Sequence, residues 1–171
     1  VTVLCPDLSN HAVGRSLVLA QIVDEVKGYS AKILGPRVRG REVHAVFRNA
    51  YEYDSVYGQI NPLSAHTIYK LIKEIDSEIV YCTKPRLYSF GVGYITKKLN
   101  GTKLLLDIDD WDEGGYIESK KKERYKAPIK NLLDPNGYFT HSFLKRKFGQ
   151  ADQVTTVSTE LRSVYNLDSQ I

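Results

Sequence analysis

The chain has 171 residues, enough for one domain with a sizeable core. Hydrophobic residues at 42% and charged residues at 26% fit a soluble globular protein, not a fibrous or disordered one. Net charge is +4, no apolar stretch approaches the roughly 20 residues that cross a bilayer, and no basic start followed by an apolar core marks a signal peptide.

Val1–Cys5 is β-branched and apolar and predicts a first strand, followed by a loop from Pro6 to Gly14. Leu19, Ile22, Val23 and Val26 recur at i, i+3, i+4 and i+7, a helical stripe that Gly28 stops. Tyr29–Leu34 predicts a second strand, ended by Gly35-Pro36, and Val43–Phe47 a short third one. Residues 48–62, rich in Tyr and Asn and without a clear period, read as loop. Ser64 caps a helix whose inward face is Ile68, Leu71, Ile72 and Ile75. Ile79–Thr83 predicts the fourth strand. Leu87, Phe90, Tyr94 and Ile95 form another helical stripe, closed by Asn100-Gly101, and Lys103–Ile108 predicts the fifth strand. The polar, basic residues beyond it predict helix broken at Pro128. A further helix around Tyr138–Phe148 is suggested by the pairs Phe139/Phe143 and Leu144/Phe148. Gln153–Val157 predicts the sixth strand, and Ser158 caps a last helix with Leu161, Val164 and Tyr165 inward.

Strands alternating with helices predict an α/β fold: a Rossmann-like parallel sheet of about six strands flanked by helices, in a single domain over 1–171. Right-handed crossovers bring every strand's carboxyl end to one edge, where open α/β sheets hold their ligands. Four loops should meet there: Pro6–Gly14, Thr83–Arg86, Asp107–Gly115 and the turn at Ser158.

The most informative of these loops follows the apolar run Leu104-Leu105-Leu106. It places Asp107, Asp109, Asp110 and Asp112 within six residues, with Trp111 among them. Three readings fit. The carboxylates hold a metal ion through oxygen; they bond sugar hydroxyls while Trp111 stacks on an apolar sugar face; or Asp107 bonds backbone and the others face water. Lys84-Pro85-Arg86 leaves the fourth strand with two cations, which hold a phosphate or carboxylate, Arg86 in forked fashion, or else balance the nearby aspartates. In the first loop Gly14 would let a phosphate approach the N–H groups at a helix start, although neither GxGxxG nor a P-loop is present. His11 in the same loop is the one histidine with candidate status. His141 is a possible member of a basic patch, and His44 and His66 read as surface or boundary residues.

Cys5 and Cys82 are too few for a disulfide framework and read as small buried residues in a reduced cytoplasm. Residues 120–147 carry nine Lys and Arg against Glu123 and Asp134, a local charge of +7 that leaves −3 for the rest. Such a segment suits a solvated helix face, a phosphorylated substrate or anionic lipid headgroups. No aromatic-and-basic motif of a nucleic-acid module occurs, so no nucleic-acid partner is expected. The chain has no Met at all, which leads to the expectation of a piece of a longer protein with its true start slightly upstream.

Four segments together resemble the N-terminal half of a GT-B glycosyltransferase, most like glycosyltransferase family 4 (group 1). Val1–Arg15, with Gly14-Arg15 opening the helix, is similar to the family's first strand and glycine-bearing loop. Ile79-Val80-Tyr81-Cys82-Thr83-Lys84-Pro85 looks like a further family strand and loop, and Lys103–Asp112 like the strand before the acceptor-site loop. Ala151-Asp152-Gln153-Val154-Thr155-Thr156-Val157-Ser158-Thr159-Glu160-Leu161 is similar to the signature near the end of this half, and is the most specific of the four.

The resemblance implies two Rossmann-like halves facing a cleft. This one would bind acceptor; a donor-binding half with paired glutamates would begin beyond Ile171 and is absent here. It implies transfer from a nucleotide-sugar co-substrate, with retention and without a bound metal or other cofactor, to a sugar or lipid-linked acceptor. The isolated half would then be inactive. Gly14 and Arg15 would lie at the donor diphosphate. Asp109 falls where many members place a histidine that contacts the donor sugar, and Asp110 where many have aspartate, so these two are the catalytic candidates. His11, Lys84, Arg86 and Trp111 are the acceptor-binding candidates. A cytoplasmic protein, peripheral at the inner face of an anionic membrane through 120–147, is the expected setting. Two rivals remain open: a metal-dependent Asp-x-Asp enzyme, phosphatase-like or GT-A, and a non-catalytic Rossmann-like binding module.

Overall fold

The computed structural model describes residues 1–38, 40–59, 64–111, 137–165 and 167. In chain order the regular elements are β1 (Thr2–Leu4), α1 (Ala12–Asp24), β2 (Lys32–Val38), β3 (Tyr53–Gly58), α2 (Ser64–Glu74), β4 (Ile79–Thr83), α3 (Val92–Asn100), β5 (Lys103–Ile108), α4 (Tyr138–Lys145), β6 (Gln153–Thr156) and α5 (Thr159–Val164). A π-helical turn over Leu87–Gly91 leads into α3, and a 3₁₀ turn over Phe148–Gln150 follows α4. The strands form one sheet of six in the order β3-β2-β1-β4-β5-β6. All five pairings are parallel. This is the Rossmann-like α/β arrangement expected, and its order reverses between β1 and β4. Among the described residues no helix is long and apolar enough to cross a membrane.

Alternation along the strands sorts the core into two halves. Even-numbered positions Leu4, Leu34, Val80, Cys82, Leu104, Leu106 and Ile108 share a core with α2, α3 and α4 through Leu71, Val92 and Leu144, and with the π-helical and 3₁₀ turns through Phe90 and Phe148. Odd-numbered positions Val3, Cys5 and Ile33 face α1 through Val13, Leu17 and Ala20. Asp107 is also odd-numbered, so β5 aims it at the α1 side.

Several boundaries differ from expectation. α1 buries Val13, Ser16, Leu17, Leu19 and Ala20; of the expected stripe Leu19 is buried and Val23 half-buried, whereas Ile22 and Val26 are exposed. The true stripe begins earlier because β1 and β2 are covered by the first three turns. The helix also stops at Asp24, four residues before Gly28. β2 runs through Gly35-Pro36 to Val38. The Pro36 carbonyl accepts from the Leu8 N–H at 2.9 Å, on the side where β1 has already ended, so the missing proline N–H costs the ladder nothing.

Val43–Phe47 is not a strand. It forms consecutive turns, with Phe47 N–H bonded to His44 O and Ala50 N–H to Phe47 O. Val43 and Phe47, four apart, both pack inward on the α1 side, so the period there is helical. The third strand lies instead at Tyr53–Gly58, inside the stretch read as loop. As an edge strand it buries only Val56 and Gly58, which leaves little apolar signal. In α5, Tyr165 is buried just past the helix, Leu161 is half-buried, and Val164 faces solvent against expectation. Of the α4 pairs, Leu144 and Phe148 are buried while Phe139 and Phe143 are exposed. The helix expected to break at Pro128 lies outside the described residues.

Candidate functional site

The carboxyl ends of the strands form one rim, and the reversal between β1 and β4 places the start of α1 in its middle. A buried polar network closes the sheet there. β1 ends at Leu4, whose carbonyl accepts from Thr83 Oγ1 at 3.0 Å and Ser89 Oγ at 2.8 Å; Ser16 Oγ of α1 lies 2.9 Å from Thr83 Oγ1. These hydroxyls satisfy the carbonyl of a fully buried residue.

Arg15, in the first turn of α1, grips Asp107 in a forked pair, Nε to Oδ2 at 2.7 Å and Nη2 to Oδ1 at 2.8 Å. Asp107 is 1% exposed and accepts a third bond from Thr155 Oγ1 at 2.8 Å. Thr155 in turn lies 3.0 Å from the Tyr81 hydroxyl. The hydrogen bonds to Asp107 outweigh partial burial and raise the Arg15 pKa, so the guanidinium is charged at all working pH values. Arg15 was expected at a diphosphate; two of its three nitrogens are committed to a carboxylate instead.

Lys84 closes the next section of the rim. Its Nζ lies 2.9 Å from Asp109 Oδ1 and 2.6 Å from Asp110 Oδ2. Burial pulls its pKa down, but the two carboxylates more than offset this and the net shift is upward. Its backbone is left-handed, φ 67°, and its N–H bonds to Asp107 O at 2.9 Å. Asp110 remains 67% exposed beyond this ion pair, and the Trp111 ring is 52% exposed. Arg86 is half-buried, and its carbonyl starts the π-helical turn by accepting from Gly91 N–H. Asp112 and the remainder of the acidic loop to Gly115 lie outside the described residues.

The first loop is more self-contained than expected. Asp7 Oδ1 accepts from the Ser9 N–H at 2.9 Å and the Ser9 hydroxyl at 2.6 Å, while Asp7 Oδ2 accepts from Asn10 Nδ2 at 3.0 Å. Asn10 Oδ1 then caps the Ala12 N–H at 2.8 Å, and Gly14 N–H bonds to His11 O at 3.1 Å. Gly14 lacks a side chain beneath the Phe47 ring, where a Cβ would meet Cζ at 3.0 Å. His11 is exposed, with its ring centroid 4.5 Å from that of His44, which in turn lies 5.6 Å from Phe47.

The structure thus brings Arg15, Lys84, Asp109 and Asp110 into one charged cluster through Asp107. His11 and Gly14 form a neighbouring group under the 43–50 segment, and Trp111 flanks the cluster. Sequence reasoning missed Thr155, Tyr81, Asp7 and Phe47. Register carries a signal for Thr155, which pairs directly with Asp107 across β5 and β6. His141, expected near the basic patch, is instead buried against Tyr165. The patch itself is described only from Gly137 onward; Lys120 to Lys130 lie outside the described residues.

Both cysteines are buried and unbridged, and burial pushes the Cys5 thiol up to about 12 and the Cys82 thiol up as well, which makes them inert as nucleophiles. No protein-family description matches the chain, and no curated protein sequence matches it.

Proposed function

We propose that the chain is the acceptor-side half of a GT-B glycosyltransferase whose parent enzyme transfers a sugar from a nucleotide-sugar to an acceptor hydroxyl with retention. One observation carries the reading: an exposed carboxylate, Asp110, and a half-exposed indole, Trp111, stand side by side on the rim next to the strand reversal. Glycosyl transfer builds positive charge on the sugar ring, and carboxylates aimed there stabilise it. Asp110 also has free acceptor capacity for the incoming hydroxyl, and Trp111 offers a flat apolar surface to a sugar face.

The ion pairs assign supporting roles. Lys84 holds Asp109 and Asp110 in place, while Arg15 anchors the strand end beneath them through Asp107. Arg15 is therefore a positioning residue in this reading. Stabilisation of the leaving diphosphate falls mainly to the second half of the parent enzyme, since Phe47 covers Gly14 and Asn10 caps the helix start. His11 and Arg86 border the acceptor side. A metal-dependent Asp-x-Asp reaction is less favoured, because both carboxylates of Asp107-Ile108-Asp109 are already paired with cations, Asp107 with Arg15 and Asp109 with Lys84.

The test is a panel of nucleotide-sugars offered with candidate acceptors to the longer protein. Sugar transfer is expected from at least one donor, and Asp110→Asn should lower kcat by about a hundredfold or more while leaving the melting temperature intact. Unchanged kinetics removes Asp110 from the machinery, and failure to use any donor sinks the enzymatic reading.

A further inference from the structure

Helix α1 buries one side in the core and leaves a second apolar ridge in water. Gly14, Val18, Ile22 and Val26 recur at a spacing of four, and such residues line up along one side of a helix. The Phe47 ring covers Gly14, the first station of this ridge. The next three stand open: Val18 is 45%, Ile22 55% and Val26 49% exposed. Val26 lies just past the end of α1, where its N–H bonds to Val23 O at 3.0 Å and the winding continues. Exposed helix positions are best filled by alanine or by straight-chain polar residues. Three β-branched apolar side chains there serve neither helix propensity nor contact with water.

Charge and spacing decide what covers the ridge. Between Ala12 and Gly28 the charged residues are Arg15, Asp24, Glu25 and Lys27, and Arg15 is committed to Asp107. An anionic bilayer finds no basic border here. The ridge does complement itself. A spacing of four is the one that interlocks two helices ridge into groove. An antiparallel pair about a two-fold axis at Ile22 sets Ile22 against the partner's Ile22 and Val18 against the partner's Val26. In that register Asp24, Glu25 and Lys27 stand level with the partner's Ala20, Leu19 and Leu17, so no like charges meet.

We infer that the open ridge of α1, formed by Val18, Ile22 and Val26, is a homodimer interface whose occupant is the same ridge of a second copy of this chain. The contact begins beyond Arg15, so it leaves the charged rim open, and the antiparallel helices set the two rims at opposite ends of the pair. The inference is independent of the glycosyltransferase reading, since it uses none of the rim residues.

Sedimentation equilibrium over micromolar to millimolar concentrations tests it. A dimer of twice 19.4 kDa is expected. It should be reversible, because one helix pair is small against the roughly 1,200–2,000 Å² of stable interfaces. Ile22→Arg sets two cations face to face on the axis and should weaken association about tenfold or more, with an unchanged circular dichroism spectrum. Cross-linking reads the register. Under diamide, Ile22→Cys should form a disulfide with its own copy, two thiols giving one S–S bond while diamide is reduced to its hydrazine. Val18→Cys should not do so alone, but should cross-link to Val26→Cys when the two are mixed; Cys5 and Cys82 are buried and stay out of the reaction. A chain that remains monomeric at millimolar concentration overturns the inference. So does a dimer that Ile22→Arg leaves unchanged, or a Val18→Cys variant that cross-links to itself as readily as Ile22→Cys does. A longer protein that is monomeric where this chain dimerises overturns it too, because the rest of that protein then covers the ridge.

Discussion

At Lys84 the backbone and the side chain pull in different directions. Among the described residues it is the one non-glycine with positive φ, 67°, a conformation that costs an L-residue about 1 kcal/mol or more. The cost is met locally. Its N–H bonds to Asp107 O, its carbonyl accepts from Arg86 N–H at 2.8 Å, and its ammonium pairs with Asp109 and Asp110. Substitution separates these contributions. Lys84→Ala loses the ammonium and keeps the strain, whereas Lys84→Gly loses the ammonium and relieves it. The glycine variant should therefore be the more stable of the two by about 1 kcal/mol in urea denaturation. Equal midpoints would mean that the left-handed turn relaxes once the ion pairs are gone. Charge balance between Lys84 and the aspartates was legible in the sequence, because adjacent parallel strands of matched length bring their exit loops together. The left-handed turn was not, since lysine carries no compositional mark for it. The Arg15–Asp107 pair was likewise not legible: Arg15 was placed at a diphosphate only by the resemblance, and strand parity is what shows that Asp107 points at it.

Helix α3 illustrates how element packing depends on an absent side chain. Gly93 rests directly on β4 and β5; a Cβ there would lie 2.4 Å from Cys82 Sγ and 2.8 Å from Leu104 Cδ1. Helix propensity alone favours alanine over glycine by about 1 kcal/mol. Overpacking against strand residues that cannot retreat costs about 1–3 kcal/mol, so Gly93→Ala should lower the urea midpoint. A raised midpoint would show that α3 slides outward without loss. The elements that sequence reading placed best are the central strands β1, β4 and β5, whose continuous apolar runs follow from burial on both faces. In the stretch Ala151–Leu161 the cap at Ser158 was legible in the sequence, whereas the roles of Asp152 and Thr155 were not. Asp152 bonds the Leu104 N–H, Thr155 meets Asp107, and the Ser158 side chain caps α5 at Leu161 N–H. Edges were harder. β3 has one buried side chain of consequence, and the 43–50 turns disguise an i, i+4 spacing as a short β-branched run.

Across the whole molecule the two edges of the sheet divide their labour. The carboxyl rim concentrates exposed charge and strain, while the amino-terminal edge is tied down by carboxylates that join distant segments. Asp24 at the end of α1 accepts from the Tyr51 hydroxyl at 2.6 Å and the Ala31 N–H at 2.7 Å. Asp76 pairs with Lys32 at 2.6 Å, linking the segment after α2 to β2. Asp152 accepts from Leu104 N–H at 2.7 Å and pairs with Lys97 at 2.8 Å, joining β6 to β5 and α3. All three carboxylates are held below their ordinary value of 3.8: Asp24 chiefly by the Tyr51 hydroxyl, Asp76 by Lys32, and Asp152 by the Leu104 N–H and then Lys97. A carboxylate depressed in the folded state binds fewer protons there than in the unfolded chain. Its contribution is complete above pH 3.8 and disappears as pH falls through the folded-state value. Stability should therefore decline in acid from the amino-terminal edge. Asp152→Asn isolates one such group. Urea midpoints for wild type and variant should differ fully near neutrality, with the wild type higher, and converge as pH drops below 3.8. A gap that stays constant through that range would mean the Asp152 contacts act by shape alone, since an uncharged amide would then be losing something other than the carboxylate's charge.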